Sequence, residues 1–452
     1  MIDTMPDGAD ARQLRRWCLL AVLALAVAGL TIIPFLLSKT VLREPAHAWV
    51  HEFGPNGLVV HVVTSFAVWF LAMFAALNVA MMPIDHGGRR RGSELADRTG
   101  FIAAATGTVF ILIAAFLDRG EATLNDYLPM IIDPFFYAGV GLMALGFLLS
   151  ALRMLSGLAR VTATDIVEVP ALIATGLLYA AAVLAGLLAW IQLSGQSLSF
   201  DFNHRLVWGS GHILQYVNAG LVLISISILY RRAFEANMTG VSFMKWTGGL
   251  LLLCGAAGLA MMGIYPATGA TYFPVFTDLQ YALGLPVALI IAAALGAIWR
   301  RRGALNWGDP AAAGFLTAVF LFGVGAFLGL FVDGADTRTP AHYHGVIGGL
   351  NLALMGLFYS WFLPLLGRQF TRQRWVSAQI YLYAVGQLLF VLGMFAAGDM
   401  GEARKSTGSG IALDSGAAVA AAGLRDLGGA LAVLGGLLFI VLALRALLKP
   451  RA

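Results

Sequence analysis

Four histidines in this chain have side chains that could hold a metal or move a proton, and their spacing narrows the chemistry. His342 and His344 stand one residue apart in TPAHYHGVIGGLNLALMG, residues 339–356. Residues two apart on an α-helix point roughly 200° away from each other, so this pair cannot easily share one ion. It can serve two sites flanking one helix. Imidazole is a common axial ligand of haem iron, and one histidine for each of two haems is a physical reading of the motif. Gly345, Gly348, Gly349 and Ala353 follow, and small residues admit flat macrocycles or neighbouring helices. His61 and His212 complete the set, with Tyr216 one turn after His212 on the same face. His47 and His51 in HAWVHEF read as solvated, and His86 and His204 as interfacial.

The elements that must position these groups lie in lipid. The chain is 59% hydrophobic and only 12% charged over 452 residues, against about 25% charge in soluble domains. Its mean hydropathy is +0.81. The apolar runs show no strand-like alternation and recur at roughly the 20-residue length of a bilayer-crossing helix. Twelve spans are predicted, near 17–37, 59–83, 101–117, 129–150, 168–191, 206–230, 246–264, 281–299, 311–332, 341–363, 377–397 and 428–448. The expected fold is an all-α polytopic membrane protein, a single transmembrane domain over 1–452. Short amphipathic or irregular outer segments are expected at about 38–58 and 398–427, the second with a helical stretch at 415–425. The first span, behind ARQLRRWC, reads as a retained helix rather than a cleaved signal. Cys18 and Cys254 fall inside spans and read as small apolar groups.

With twelve spans, every basic cluster falls on one side: Arg12, Arg15 and Arg16; Arg89, Arg90 and Arg91; Arg153 and Arg160; Arg231 and Arg232; Arg300, Arg301 and Arg302; Arg368, Arg372 and Arg374; Arg445, Lys449 and Arg451. The positive-inside rule makes that side the cytoplasm and puts both termini there. The formal net charge of +5 is then a topology signal and not a nucleic-acid footprint. The implied location is the cell inner membrane. His61, His342 and His344 open their spans from the outer side and His212 lies about two turns inside its own, so all four fall in the outer third to half of the membrane, towards the periplasm. Ionisable groups at such depth usually face a protein interior and serve function.

Twelve spans with histidines in spans 2, 6 and 10 resemble the catalytic subunit I of haem–copper oxidases and their nitric oxide reductase relatives. The resemblance implies that His61 and His344 clasp a low-spin haem and that His342 holds a high-spin haem. It makes His212, in VWGSGHILQY, the first ligand of a non-haem metal, with Tyr216 where many oxidases carry a tyrosine bonded to that histidine. It also offers Arg338, Arg404 and Lys405 as partners of haem propionates. The sequence departs from the family at span 7. Two adjacent histidines are expected there, but the chain reads CGAAGLAMMGIYPATG and has no histidine between His212 and His342. Met261 and Met262 occupy roughly the place; thioethers suit Cu(I), while packing is the ordinary use of such a pair. Two haems are therefore expected, and copper or non-haem iron lacks its usual ligands.

Proton-carrying groups are sparse in the inner halves of spans 6 to 8, where Ser225, Ser227, Lys245 and Thr247 form no continuous line. Asp165 and Glu168 mark either a proton entrance or a helix start. Asp278, Asp333 and Asp336 offer short routes from outside. The leading expectation is a membrane redox protein passing electrons through a low-spin haem to a high-spin haem that binds or reduces O2 or NO without a normal dinuclear centre. His212 and Tyr216 would be its distal groups. The electron donor would be a cytochrome, a small redox protein or a quinol, since no C-x-x-C-H site is present; a small accessory subunit is a further expected partner. A non-catalytic haem protein for electron transfer or gas sensing is the second reading, and a haem-free transporter the third.

Overall fold

The computed structural model describes residues 8–37, 47–82, 94–159, 166–332, 336–370, 372–404 and 415–449. Helix α1 is Gly8–Leu37. Helix α2 (His47–Val62) runs through a π-helical stretch, Val63–Val68, into α3 (Trp69–Ala80). Next come α4 (Glu94–Phe116), a two-residue hairpin of β1 (Ala122–Thr123) and β2 (Met130–Ile131), α5 (Pro134–Leu158), α6 (Val169–Gln192), α7 (Phe200–Phe234) and α8 (Val241–Ile264). The chain continues through α9 (Tyr272–Leu279), α10 (Gly284–Arg301), α11 (Pro310–Leu328), α12 (Arg338–Leu357), a second π-helical stretch (Phe358–Phe362), α13 (Leu363–Leu365), α14 (Gln373–Asp399) and α15 (Gly416–Leu448). Among the described residues, twelve helical segments are long and apolar enough to cross a membrane, and they match the twelve predicted spans in order.

The boundaries differ where local chemistry overrides hydropathy. Helix α5 starts at Pro134 because the Asp133 carboxylate accepts the Phe135 N–H and proline suits the first turn. Asp309 and Pro310 start α11 in the same way, with the Ala311 and Ala312 N–H groups donating to the carboxylate. Both expected irregular outer segments are partly helix. Residues 47–58 already belong to α2, and the stretch expected at 415–425 is the beginning of α15, capped by Ser415. In α2 the helix runs on through Pro55 into the apolar run.

The described residues divide into two compact units. One lies within Met1–Leu36, Ala46–Leu221 and Gly240–Leu289; the other within Val222–Thr239 and Ile290–Ala452. In the first unit α4 packs on α5 and α6 on α8; in the second α11 packs on α12 and α14 on α15. Lipid-side residues are apolar, with Trp246 and Leu253 strongly exposed. Cys18 and Cys254 are free thiols.

Two polar features hold these helices in register. In the first unit, buried Arg153 of α5 meets Asp97 of α4 at 2.6 Å and Asp10 of α1 at 3.3 Å. The Gln13 amide donates to the Asp97 carbonyl at 2.8 Å. In the second unit, α14 and α15 approach so closely that a Cβ on Gly435 would lie 2.8 Å from Tyr383 Cα. The Gln379 amide donates across that contact to the Gly435 carbonyl at 2.8 Å. Gly435→Val should therefore force the helices apart and cost about 1–3 kcal/mol or more. A melt in detergent indistinguishable from wild type would show that the contact is not tight.

Candidate functional site

His61 and His342 share one local arrangement. His61 Nδ1 lies 3.0 Å from the Ala28 carbonyl of α1. His342 Nδ1 lies 2.8 Å from the Gly325 carbonyl of α11. A carbonyl only accepts, so each Nδ1 must carry the proton and each Nε2 keeps its lone pair. A backbone-anchored neutral imidazole with Nε2 outward is the form that ligates a metal. No protein group takes either Nε2 among the described residues.

The surrounding backbone makes room for both rings. After His61 the helix widens into its π-helical stretch, while the Thr64 and Ser65 hydroxyls donate back to the Val60 and His61 carbonyls, each at 2.6 Å. Single π turns inside α-helices recur at functional positions. Around His342 the device is glycine. A Cβ on Gly329 would sit 2.6 Å from Nδ1, and Gly345 of α12 presses on Gly325 of α11. His344 turns to the opposite side of α12, its ring edge-on to Phe390 of α14 at 5.1 Å between centroids. The two histidines thus face different helices, as their spacing predicts.

His212 is built differently. Its Nδ1 lies 2.8 Å from the Trp208 carbonyl one turn earlier, and its Nε2 lies 3.0 Å from the Tyr127 hydroxyl. Nδ1 again carries the proton, so the Tyr127 O–H donates to Nε2. The Gln215 amide in turn donates to the Tyr127 oxygen at 3.0 Å. Both ring nitrogens are therefore spent on protein partners. Trp208, Tyr127 and Phe276 enclose the imidazole, with centroids 4.8, 4.8 and 5.6 Å away, and His212 is buried. Burial, helped by the Asp126 carboxylate, holds the Tyr127 phenol above the usual tyrosine range against the opposing Gln215 bond, which keeps it a donor.

Tyr127 and Gln215 are the functional candidates that sequence reasoning missed. Tyr127 sits in the β1–β2 hairpin with a left-handed backbone, φ 64°, which costs a non-glycine residue about 1–2 kcal/mol. Asn125 fixes that turn by donating to the Leu128 carbonyl at 2.6 Å. Gly211 is the one legible trace, because any side chain there would strike the Tyr127 ring.

The other predicted site residues scatter. Tyr216 turns from His212 and donates to the Leu279 carbonyl at 2.9 Å. Met262 is buried, and its sulfur fills the space beside Gly209; the Met261 carbonyl accepts the Tyr265 N–H. Among the described residues no three His, Cys, Asp or Glu side chains gather as a metal site. The Arg338 guanidinium forks onto the Asp336 carboxylate at 2.7–3.0 Å, which holds that carboxyl below its usual range. Arg404 is half-buried in the turn after α14, while Lys405, Asp165 and Asp333 lie outside the described residues. Asp278 is exposed, and Glu168, Ser225, Ser227 and Thr247 are buried.

Residues 14–422 match the family model described as Cytochrome C and Quinol oxidase polypeptide I. An uncharacterized protein of Aquifex aeolicus is 26% identical over 347 residues, covering 76% of this chain and 83% of that protein. An uncharacterized protein of Rickettsia prowazekii is 23% identical, with 94% of each chain covered. A solved haem–copper terminal oxidase dimer superposes with a TM-score of 0.78 at 17% identity, covering 99% of this chain and 85% of that one.

Proposed function

The chain belongs to the cytochrome c and quinol oxidase polypeptide I family, and from that premise we propose that it is a haem-bearing membrane redox protein without a normal dinuclear metal centre. One observation carries the reading. Among the described residues, His61 and His342 each present an unpartnered Nε2 on a backbone-anchored ring, whereas His212 has given both nitrogens to protein groups. The donor set fits haem and does not fit a three-histidine copper or iron site.

His61 would be one axial ligand of a low-spin haem, with His344 the second by its place in the motif, and His342 would hold a high-spin haem. Bound haem supplies one-electron transfer and, at an open coordination position, the capture of a small gas such as O2 or NO. The chain's part is to orient the imidazoles. The Ala28 and Gly325 carbonyls fix their tautomers, and Gly329 clears space for the His342 ring. Electrons would come from a cytochrome, a small redox protein or a quinol. Arg338, Arg404 and Lys405 are proposed as cations near haem carboxylates, although Arg338 already shares its charge with Asp336.

The closed Gln215–Tyr127–His212 chain favours a second reading: a carrier of electrons or a gas sensor that performs no turnover. Consumption of O2 or NO with a reduced donor separates the two. A reduced-minus-oxidised spectrum with haem and metal analysis tests both, and a preparation with no Soret absorption leaves the transporter reading. Copper should stay substoichiometric and should not change in His212→Ala. One equivalent of copper lost on that substitution would overturn the assignment of His212.

A further inference from the structure

A cavity of about 220 Å³ lies in the second unit, at the arginine-rich helix ends, and the proposed function leaves it unused. Pockets for drug-sized ligands start at about 300 Å³, so this one suits a smaller polar group. Its wall carries both signs of charge, Arg232 from the end of α7 and Asp309 from the start of α11. Tyr359 and Ser360 also line it and belong to the π-helical stretch Phe358–Phe362. Such π turns recur at functional positions. Trp307 and Trp375 each stand two residues from a wall residue and are exposed, as tryptophans are at the headgroup level of a bilayer.

Acceptors and donors can be told apart on this wall. The Asp309 oxygens accept one N–H each, from Ala311 and Ala312, and each keeps a further lone pair. The Ser360 hydroxyl donates to the Gly356 carbonyl at 2.7 Å and the Tyr359 hydroxyl to Gln379 Oε1 at 3.2 Å. Both protons are therefore spent inside the protein, and both oxygens keep lone pairs. The donors are the Arg232 guanidinium and the amides of Gln369 and Gln373.

Charge selects the occupant. A simple cation would be repelled by Arg232 and a simple anion by Asp309, whereas a zwitterion satisfies both. Burial holds the Asp309 carboxyl above its usual range despite its two N–H bonds and the Arg232 cation, so a second cation beside it would be stabilising. We propose that this cavity seats the headgroup of phosphatidylethanolamine from the surrounding bilayer. Its ammonium brings three N–H donors to Asp309, Ser360 and Tyr359, and its phosphate accepts from Arg232 and the two glutamine amides. Phosphatidylcholine has the same charges but no N–H on its nitrogen, and phosphatidylglycerol has no cation for Asp309.

The test is native mass spectrometry of the purified full chain, stripped of lipid in detergent and offered the dioleoyl form of each of the three lipids at equal concentration. Wild type should retain phosphatidylethanolamine roughly ten-fold or more over either other lipid, the scale of one hydrogen bond to a charged group. Asp309→Asn keeps a side chain that can cap α11; it should abolish the preference and raise the retention of phosphatidylglycerol. Arg232→Gln should weaken retention of all three. Equal retention of phosphatidylethanolamine and phosphatidylcholine by wild type, a comparison that needs no variant, overturns the proposal. So does an undiminished preference in Asp309→Asn. Displacement of the bound lipid by an equal concentration of soluble glycerophosphoethanolamine would make a free metabolite the occupant and overturn the bilayer source.

Discussion

Replacing His342 with alanine is expected to release one haem and spare the other. The argument is local. His342 is anchored by the Gly325 carbonyl at 2.8 Å, and Gly329 clears the space beside its ring. Haem content should fall to about half. Low-spin bands should persist, because His61 and His344 are untouched, while binding of carbon monoxide to the reduced protein should vanish. Millimolar imidazole should restore part of the lost signal by occupying the space the side chain left. Gly329→Val tests the orientation separately, since its side chain must displace the ring from its carbonyl. Disturbing a ligand's outer partner typically costs about 10–100-fold in affinity. Loss of the low-spin bands in His342→Ala, with carbon monoxide binding intact, would reverse the assignment of the two histidines.

The largest stability effect is expected at Arg153→Met. Arg153 is buried between Asp97 and Asp10, and methionine of similar length would remove the cation that both carboxylates face. Removing one partner of a buried ion pair typically costs about 3–5 kcal/mol, because the remaining charge stays uncompensated. Part of that loss should return in Arg153→Met/Asp97→Asn, which removes one of the stranded charges while the Gln13 bond to the Asp97 backbone remains available. Thermal melts in one detergent compare the three proteins. If Arg153→Met melted with wild type, the cluster would be hydrated and the burial argument wrong. The haem spectrum should survive wherever the protein stays folded, since no proposed ligand touches this cluster.

Much of the fold was legible because membrane spans are set by composition over a short window. A run of about 20 apolar residues satisfies its own backbone bonds and finds lipid whatever its neighbours do. The twelve spans were therefore found in order, and errors gathered at ends governed by caps such as Asp133 and Asp309. The divergence of His342 and His344 was legible for a similar reason, being a property of two positions in one helix. The hydrogen bonds along one face of α14 were not. Gln379, Tyr383 and Gln387 lie in a span that hydropathy alone treats as featureless, and their significance rests on Asn351 and Tyr359 of another helix.

The sequence by itself determined the medium, the number of crossings, the order of the histidines along the chain and the missing histidines before His342. All of these follow from local composition and helix geometry. Tertiary structure decided what each imidazole does. Whether a nitrogen is free depends on a partner far away in the chain: Ala28 for His61, Gly325 for His342, and Tyr127 for His212 across 85 residues. Tyr127 reaches its histidine only because a strained hairpin residue lies over Gly211. No periodicity records such an encounter, since it is fixed by the packing of separate elements and not by the propensity of either one.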